Sequence, residues 1–292
     1  MELQNLVTAL SKYTNLSNLT LNCPINAKSV FPLVSCLSDC TKLSNLNLNI
    51  SQSKIGGQGI SALVFALSTC INLSNLTIIL CHNRIGTYDS FALSSALSTL
   101  HNLSYLRLHL GWNKIGTQGV SAIVCAISNQ VNLSELQLSF TSNEIGSQNG
   151  LYLGSALSTC ISLSKLSLDL AANKINGECA QTLVCSLSAC TNLSSLKLYF
   201  NGNEIGPQGA PALGFALSTL TSLSSLTLDI QGNKIEDNGL LALGSALQFC
   251  TNLSQMRIVF KYWTSTNEKA QLKFKLKILK VKRLVKIYFD SY

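Results

Sequence analysis

From residue 43 to residue 253, leucine recurs in this chain at every thirtieth position without a slip. Each of these leucines is followed by serine, and they are Leu43, Leu73, Leu103, Leu133, Leu163, Leu193, Leu223 and Leu253. A fixed period of about 20 to 50 residues is the signature of a repeat array, in which each unit packs only on its neighbours. The period therefore predicts a solenoid rather than two unrelated domains.

Each unit combines two hydrophobic periods. In residues 73–102, alternate positions from Leu76 to Leu80 are apolar, which predicts a strand with one buried face. The later apolar positions follow the spacing of one helix face, at Ala92, Leu93, Ala96 and Leu97. Neither element can bury its apolar face alone, so strands should stack into a parallel sheet with helices behind it. Because helices are wider than the roughly 4.8 Å strand spacing, the predicted α/β solenoid is a horseshoe with a concave sheet and convex helices.

These units resemble the leucine-rich repeats, and most closely the ribonuclease-inhibitor-like class. The resemblance covers residues 16–260, and one unit matches the family pattern at Leu106, Leu108, Leu110, Asn113, Ile115, Gly116, Gly119, Ile123 and Ile127. An extra leucine pair lengthens the strand segment, so the curvature is expected to differ from that of shorter repeats. The resemblance implies a protein-binding scaffold that uses its concave strand face.

The repeats divide the chain into an array at residues 1–260 and a basic segment at residues 261–292. Residues 9–15 align with residues 66–72, so the array opens inside the helix of a partial unit, and nine strand units follow. The missing first strand favours a piece of a longer protein, and the open end as a binding site is the alternative. The first of the nine strand units is shorter than the others and has an atypical turn at residues 23–26.

Nine Lys and Arg residues against two acidic ones give the C-terminal segment a net charge of +7, whereas residues 1–260 carry only +1. Apolar residues from Phe274 to Tyr288 are spaced by four and three, which predicts an amphipathic helix, although alternation from Leu272 to Ile278 leaves a strand start open. We expect this segment to cap the last repeat. The alternatives are contact with an acidic partner or an anionic membrane, and nuclear import or nucleic-acid binding through residues 280–283.

The cysteines and the N-terminus favour a reducing compartment. Cysteine alternates with leucine in one repeat column, which indicates a small buried hydrophobe rather than a disulfide. Asn-x-Ser/Thr sites recur beside core leucines, where stacked glycans would crowd the packing. The start of the sequence has no secretory signal pattern, and no apolar run reaches the roughly 18 residues of a membrane span. We expect a cytoplasmic protein, with a nuclear location as the alternative.

No catalytic, metal or cofactor site is predicted. The repeated asparagines, such as Asn83 and Asn113, are interpreted as turn caps that satisfy buried backbone groups. The Gly-Thr-Gln-Gly segment at residues 116–119 fits neither common phosphate-binding spacing. Kinase motifs are missing, and only three histidines are available for metal binding. The chain is therefore expected not to be an enzyme and to have no small-molecule substrate.

Residues that break the repeat on the exposed strand face are the candidates for partner binding. One unit combines two aromatic residues with an arginine, the composition of interface hot spots, and a second cluster surrounds a tyrosine. The candidates are Tyr105, Arg107, His109, Trp112, Asp169, Lys197, Tyr199 and Asp229.

The sequence thus favours a non-enzymatic scaffold that binds a protein partner. The first alternative is the repeat portion of a larger signalling protein of kinase or receptor type, since similar repeats accompany kinase-type domains. The second is a GTPase-activating protein, because ribonuclease-inhibitor-like repeats also occur in that class. Arg84, on the turn after Asn83, would then be the assisting residue.

Overall fold

The computed structural model describes residues 15–22, 30, 32, 36–260 and 267–290. The contacts divide the chain into a first unit, residues 1–143, and a second unit, residues 144–292. Predictions for residues 9–14 and for the turn at residues 23–26 lie outside the described residues.

The described part of the first unit contains five parallel strands joined by helices. Each strand pairs with the next in chain order, and the offset is 27 residues between the first two strands and 30 thereafter. The elements are β1 (Asn18–Asn22), β2 (Asn45–Asn49), α1 (Gly56–Thr69), β3 (Asn75–Ile79), α2 (Thr87–Ser98), β4 (Tyr105–His109), α3 (Gly116–Ser128) and β5 (Glu135–Ser139). Residues 36–39, before β2, are also helical.

The second unit repeats this plan with five more parallel strands. They pair in chain order from the first to the last. The elements are α4 (Gly150–Ser158), β6 (Lys165–Asp169), α5 (Gly177–Ser186), β7 (Ser195–Tyr199), α6 (Gly206–Ser218), β8 (Ser225–Asp229), α7 (Glu236–Leu247), β9 (Gln255–Val259), α8 (Glu268–Ile278) and β10 (Lys286–Asp290). Short 3₁₀ turns precede α4 and follow α5. The predicted α/β solenoid of parallel strands alternating with helices is confirmed.

The core lies between the strands and the helices. In β2 to β9 the second and fourth residues are buried, as Leu106 and Leu108 are in β4, while nearly all of the first, third and fifth residues are exposed or half-buried. Period-two alternation produces this separation. We call the side formed by the odd positions the open strand face. Because the helices cover only the other side, these odd positions are the ones available to a ligand.

The repeated asparagines form a buried hydrogen-bond ladder at the ends of the strands. In the first unit, Asn113 Oδ1 accepts from the amides of Asn83 (2.9 Å) and Ile85 (3.1 Å), while its Nδ2 donates to the carbonyls of Leu80 and Leu110. Asn203 does the same in the second unit. These contacts match the predicted capping role, because each asparagine satisfies backbone groups of its own turn and of the preceding one.

Close helix packing in the second unit depends on glycine. A Cβ built on Gly177 would lie 2.3 Å from the Cα of Gly209, which is far inside contact distance. These two residues let the start of α5 approach the start of α6. The small-residue columns of the sequence therefore set how closely successive helices can stack.

The C-terminal segment differs from the sequence-based prediction. The predicted amphipathic helix from Phe274 to Tyr288 is wrong beyond Ile278, where the observed helix ends. The alternative prediction of a strand that starts at Leu272 is also wrong, because Leu272 lies inside that helix. Residues after Ile278 turn and form β10, which pairs in parallel with β9. The repeat pattern thus continues after Phe260, with Phe274 and Ile278 buried on α8. Strand pairing outweighs the helical spacing because β9 offers a free edge to residues 286–290.

Candidate protein-binding site

Strand β4 places three candidate residues side by side on the open strand face of the first unit. Tyr105, Arg107 and His109 occupy its first, third and fifth positions, and each is half-buried. Arg107 Nε donates to His109 Nε2 over 3.2 Å, so these two side chains hold each other in place. The neighbouring strands contribute the smaller Thr77 and Gln137 beside Arg107. The largest polar side chain of this region is therefore oriented before any partner arrives.

Trp112 lies just beyond β4 and is stacked on His82 from the preceding turn. The ring centroids are 4.9 Å apart and the planes differ by 10°. Trp112 is 52% exposed. Both residues adopt left-handed backbone conformations, with φ of 54° and 57°. In the second unit, glycine occupies the equivalent turn position twice, at Gly202 and Gly232. Large rings in the first unit therefore occupy a backbone conformation that disfavours them by about 1 kcal/mol each.

Three cations surround this stack. Lys54, Arg84 and Lys114 occupy successive turns, and all three are exposed. Together with the two rings and the asparagine of the ladder, they line an open groove of about 640 Å³. None of the six residues that line it is acidic. We call this feature the basic–aromatic groove, defined by Lys54, His82, Arg84, Trp112, Asn113 and Lys114.

Of the groove residues, only Trp112 is predicted from the sequence to bind a partner. The sequence assigns no site to His82, and Arg84 is a candidate only in the alternative of GTP hydrolysis. The basic character of the groove could have been predicted from the sequence, because one repeat column holds a cation in each of three successive turns, at Lys54, Arg84 and Lys114. The stack itself could not be predicted, because it depends on left-handed turns that bring side chains of successive repeats into contact.

The second unit carries the other candidate cluster on its own open strand face. Tyr199 in β7 lies between Asp169 in β6 and Asp229 in β8, at aligned register positions. Burial raises the pKa of the Tyr199 phenol, Arg257 lowers it, and the two carboxylates raise it further. Asp169 and Asp229 also accept hydrogen bonds from the backbone amides of residues 171 and 231 in the following turns, each over 3.1 Å. The two carboxylates therefore stabilise the turns in addition to contributing negative charge to the surface.

Lys197 belongs to a shallow neighbouring pocket rather than to the tyrosine cluster alone. It lies exposed at the third position of β7 and lines a depression of about 380 Å³ together with Thr227, Arg257 and Tyr288. Arg257 and Tyr288 are not among the binding residues predicted from the sequence. The tail was interpreted as a helix, so the position of Tyr288 on a tenth strand was not foreseen.

Comparison with known proteins identifies the repeats. The family model described as leucine-rich repeat matches residues 102–124 and 217–244, one segment in each unit. The chain contains leucine-rich repeats in both units. Its helix-containing units are consistent with the ribonuclease-inhibitor-like class. A crystal structure of a Bacteroides fragilis protein matches with 15% identity and a TM-score of 0.37, over 76% of this chain and 68% of that one. The search of curated proteins found no match.

Leucine-rich repeats are generally protein-interaction scaffolds and typically lack catalytic activity. Within the described ranges, no group of three His, Cys, Asp or Glu residues lies close enough to hold a metal ion. No helix in the same ranges is long and apolar enough to cross a membrane. The open strand faces and the basic–aromatic groove are thus the sites of this chain to consider for ligand binding.

Proposed function

We propose that the chain is a non-enzymatic scaffold that binds a protein partner through the first unit. The binding surface would combine the basic–aromatic groove with Tyr105, Arg107 and His109 on β4. The observation that carries the proposal is the stack of Trp112 on His82, since two exposed aromatic rings lie face to face at turn positions that hold Gln52, Ser142 and Ala172 in other repeats. Tryptophan, tyrosine and arginine are also the residues most enriched at interface hot spots.

The charge of the groove indicates the chemistry of the partner. Lys54, Arg84 and Lys114 place three positive charges around two aromatic faces. An acidic segment would neutralise these cations, and an apolar or cationic side chain could pack on the indole face. We therefore propose an acidic peptide segment, in an extended or loop conformation, as the part of the partner that occupies the groove.

The second unit adds a surface of mixed charge to the proposal. Tyr199 offers a half-buried aromatic ring between two carboxylates, Lys197 lies two positions earlier on the same strand, and Arg257 lies two strands away on β9. Alternating charges of this kind give specificity more than affinity, because a wrongly charged partner is repelled. Asp169, Lys197, Tyr199 and Asp229 are therefore proposed as specificity contacts, and the first unit as the main anchor.

Substitution of Trp112 by glycine is the sharpest test. Glycine suits the left-handed turn, so the variant removes the ring without straining the backbone. We expect affinity for the captured partner to fall at least tenfold in Trp112→Gly, as for a hot-spot tryptophan. Arg84→Glu and Arg107→Glu should weaken binding as well, and all affinities should decrease as salt is raised from about 0.05 to about 0.5 M.

Tyr88→Ala is the matched control, because Tyr88 is an exposed aromatic residue of the same unit, on α2, at 86% exposure. It should bind as the unaltered chain does. Partners would be captured from native lysate, identified by mass spectrometry and measured as purified proteins. Unchanged affinity in Trp112→Gly, Arg84→Glu and Arg107→Glu would contradict the proposal. Acceleration of GTP hydrolysis that disappears in Arg84→Ala would contradict its non-enzymatic part.

A further inference from the structure

The last repeat, formed by α8 and β10, differs from the one before it on its outer surface. Lys286 pairs with Gln255, which makes this repeat one position longer than the preceding one, where Gln255 pairs with Ser225. Buried positions are alike, since Phe274 and Ile278 occupy the places of Leu243 and Leu247. Outer positions are not alike. The last repeat has Leu276, Leu279 and Val285 where the preceding repeat has Ser245, Gln248 and Ser254. Internal packing therefore does not explain these three apolar residues.

The valine position shows this most clearly. Ser224 and Ser254, in the same column, donate their hydroxyls to the backbone carbonyl of the preceding repeat at 3.0 and 3.1 Å. Val285 keeps only the backbone contact to the Ser254 carbonyl, and its side chain is 78% exposed. The last repeat thus replaces a hydrogen-bonding hydroxyl with an apolar group that faces solvent.

Helix α8 has two apolar faces, and only one is covered. Ala270, Phe274 and Ile278 are buried against the preceding repeat. Leu272, Leu276 and Leu279, spaced by four and three residues, form a stripe on the opposite side and are 59%, 52% and 61% exposed. We call Leu272, Leu276, Leu279 and Val285 the outer apolar stripe. An apolar stripe of this kind on a solvent-facing helix indicates an interaction surface.

Cations border the stripe. Residues 267–290 contain eight Lys and Arg residues and two acidic residues. At about 100° per residue, Lys269, Lys273 and Lys280 lie beside the leucines, and all three are exposed. Lys277 points the other way, since its Nζ donates to the Leu241 carbonyl (3.0 Å) and to Ser245 Oγ (2.5 Å). Lys277 thus fixes α8 to the array, whereas Lys269, Lys273 and Lys280 remain exposed beside the stripe.

We propose that the last repeat binds the surface of anionic phospholipid membranes, with the outer apolar stripe inserted at the interface and the flanking lysines on the lipid phosphates. This arrangement is that of a helix lying in the membrane plane. Each cation near an anionic surface contributes attraction, and lysine stems can extend from the buried stripe to the headgroups. A second copy of this chain is a poorer occupant than an anionic membrane, because residues 1–260 carry a net charge of +1 and the last repeat is itself basic.

The test is sedimentation of the full chain with vesicles of phosphatidylcholine alone and of phosphatidylcholine with about 30% phosphatidylserine. We expect binding to the anionic vesicles that weakens as salt is raised, and at least tenfold weaker binding to the neutral ones. The variant Leu276→Ser, Leu279→Gln, Val285→Ser restores the residues of the preceding repeat. Because all three positions are exposed, it should fold normally and lose at least tenfold in binding to the anionic vesicles.

Two controls separate the stripe from general apolar exposure and from the proposed protein site. Phe65→Ser removes an exposed residue of α1 and should leave vesicle binding unchanged, as should Trp112→Gly. Equal binding of the triple variant and the unaltered chain would overturn the proposal, as would absence of binding to anionic vesicles. Dimers seen by light scattering and abolished by the triple variant, without vesicle binding, would assign the stripe to a second copy instead. Binding of an acidic protein through the stripe, again without vesicle binding, would also overturn it.

Discussion

At the scale of single residues, asparagine has two distinct roles in these repeats. Asn113 is buried and joins two turns through hydrogen bonds to the backbone of residues 80, 83, 85, 110 and 111. Asn102 is exposed and makes one bond, from Nδ2 to the Ile71 carbonyl at 3.0 Å. The same side chain therefore stabilises the array to very different degrees, according to how much buried backbone depends on it.

Asn113→Ala should lower the free energy of unfolding by about 3 kcal/mol or more. The substitution leaves two buried amides and several carbonyls without partners, and each orphaned group costs about 1 to 3 kcal/mol. Urea unfolding followed by circular dichroism would measure the loss. Asn102→Ala is the control and should cost less than about 1 kcal/mol, because water replaces its exposed bond. Equal losses in the two variants would show that the ladder does not stabilise the fold.

At the scale of elements, helix α6 contains an unfavourable residue. Pro211 lies inside the helix, where it cannot donate to the carbonyl four residues earlier and its ring crowds that carbonyl. Pro207, in the first turn, disrupts no helical hydrogen bond. The two prolines of one helix thus allow the effect of position to be measured directly.

Pro211→Ala should stabilise the chain by about 1 to 3 kcal/mol, because it restores one hydrogen bond and removes the clash. Thermal unfolding would show the gain as a higher Tm. Pro207→Ala should give no gain, or a loss of up to about 1 kcal/mol, since proline is favoured in the first helical turn. A lower Tm for Pro211→Ala would show instead that packing of α6 against α7 requires the proline ring.

Elements within the regular repeat were predictable, and those outside it were not. Alternation placed Tyr105, Arg107 and His109 on the open strand face, because a strand has only two sides. The equivalence of β10 to the other strands was not recognised, because the last repeat is one residue longer than the others and contains many lysines. The basic–aromatic groove was missed for another reason: its stack joins two turns that are left-handed, as the same turn position is in the other described repeats. The local propensities of histidine and tryptophan do not predict that conformation.

At the scale of the whole molecule, one column of thiols links stability to pH. Cys40, Cys70, Cys160, Cys190 and Cys250 are all buried, as the exchange with leucine in this column predicted. Burial raises the pKa of all five, to about 12 for Cys160 and Cys250. The native state therefore keeps protons that the unfolded chain releases near pH 9. Stability from this column is complete below that pH and is lost as the pH rises toward 12.

In the double variant Cys160→Leu, Cys250→Leu, the free energy of unfolding should fall less steeply between about pH 8 and about pH 10.5 than in the unaltered chain. Leucine already occupies this column at residues 100 and 220, so the packing should accept it. Each thiol that stays protonated in the native state adds up to about 1.4 kcal/mol per pH unit to the pH dependence of the free energy of unfolding. Removal of two such thiols should therefore reduce the change of the urea midpoint with pH. Cys125→Ala with Cys185→Ala, at exposed positions, should leave the slope unchanged. Identical slopes in all three proteins would mean that the buried thiols ionise as freely in the native state as in the unfolded chain.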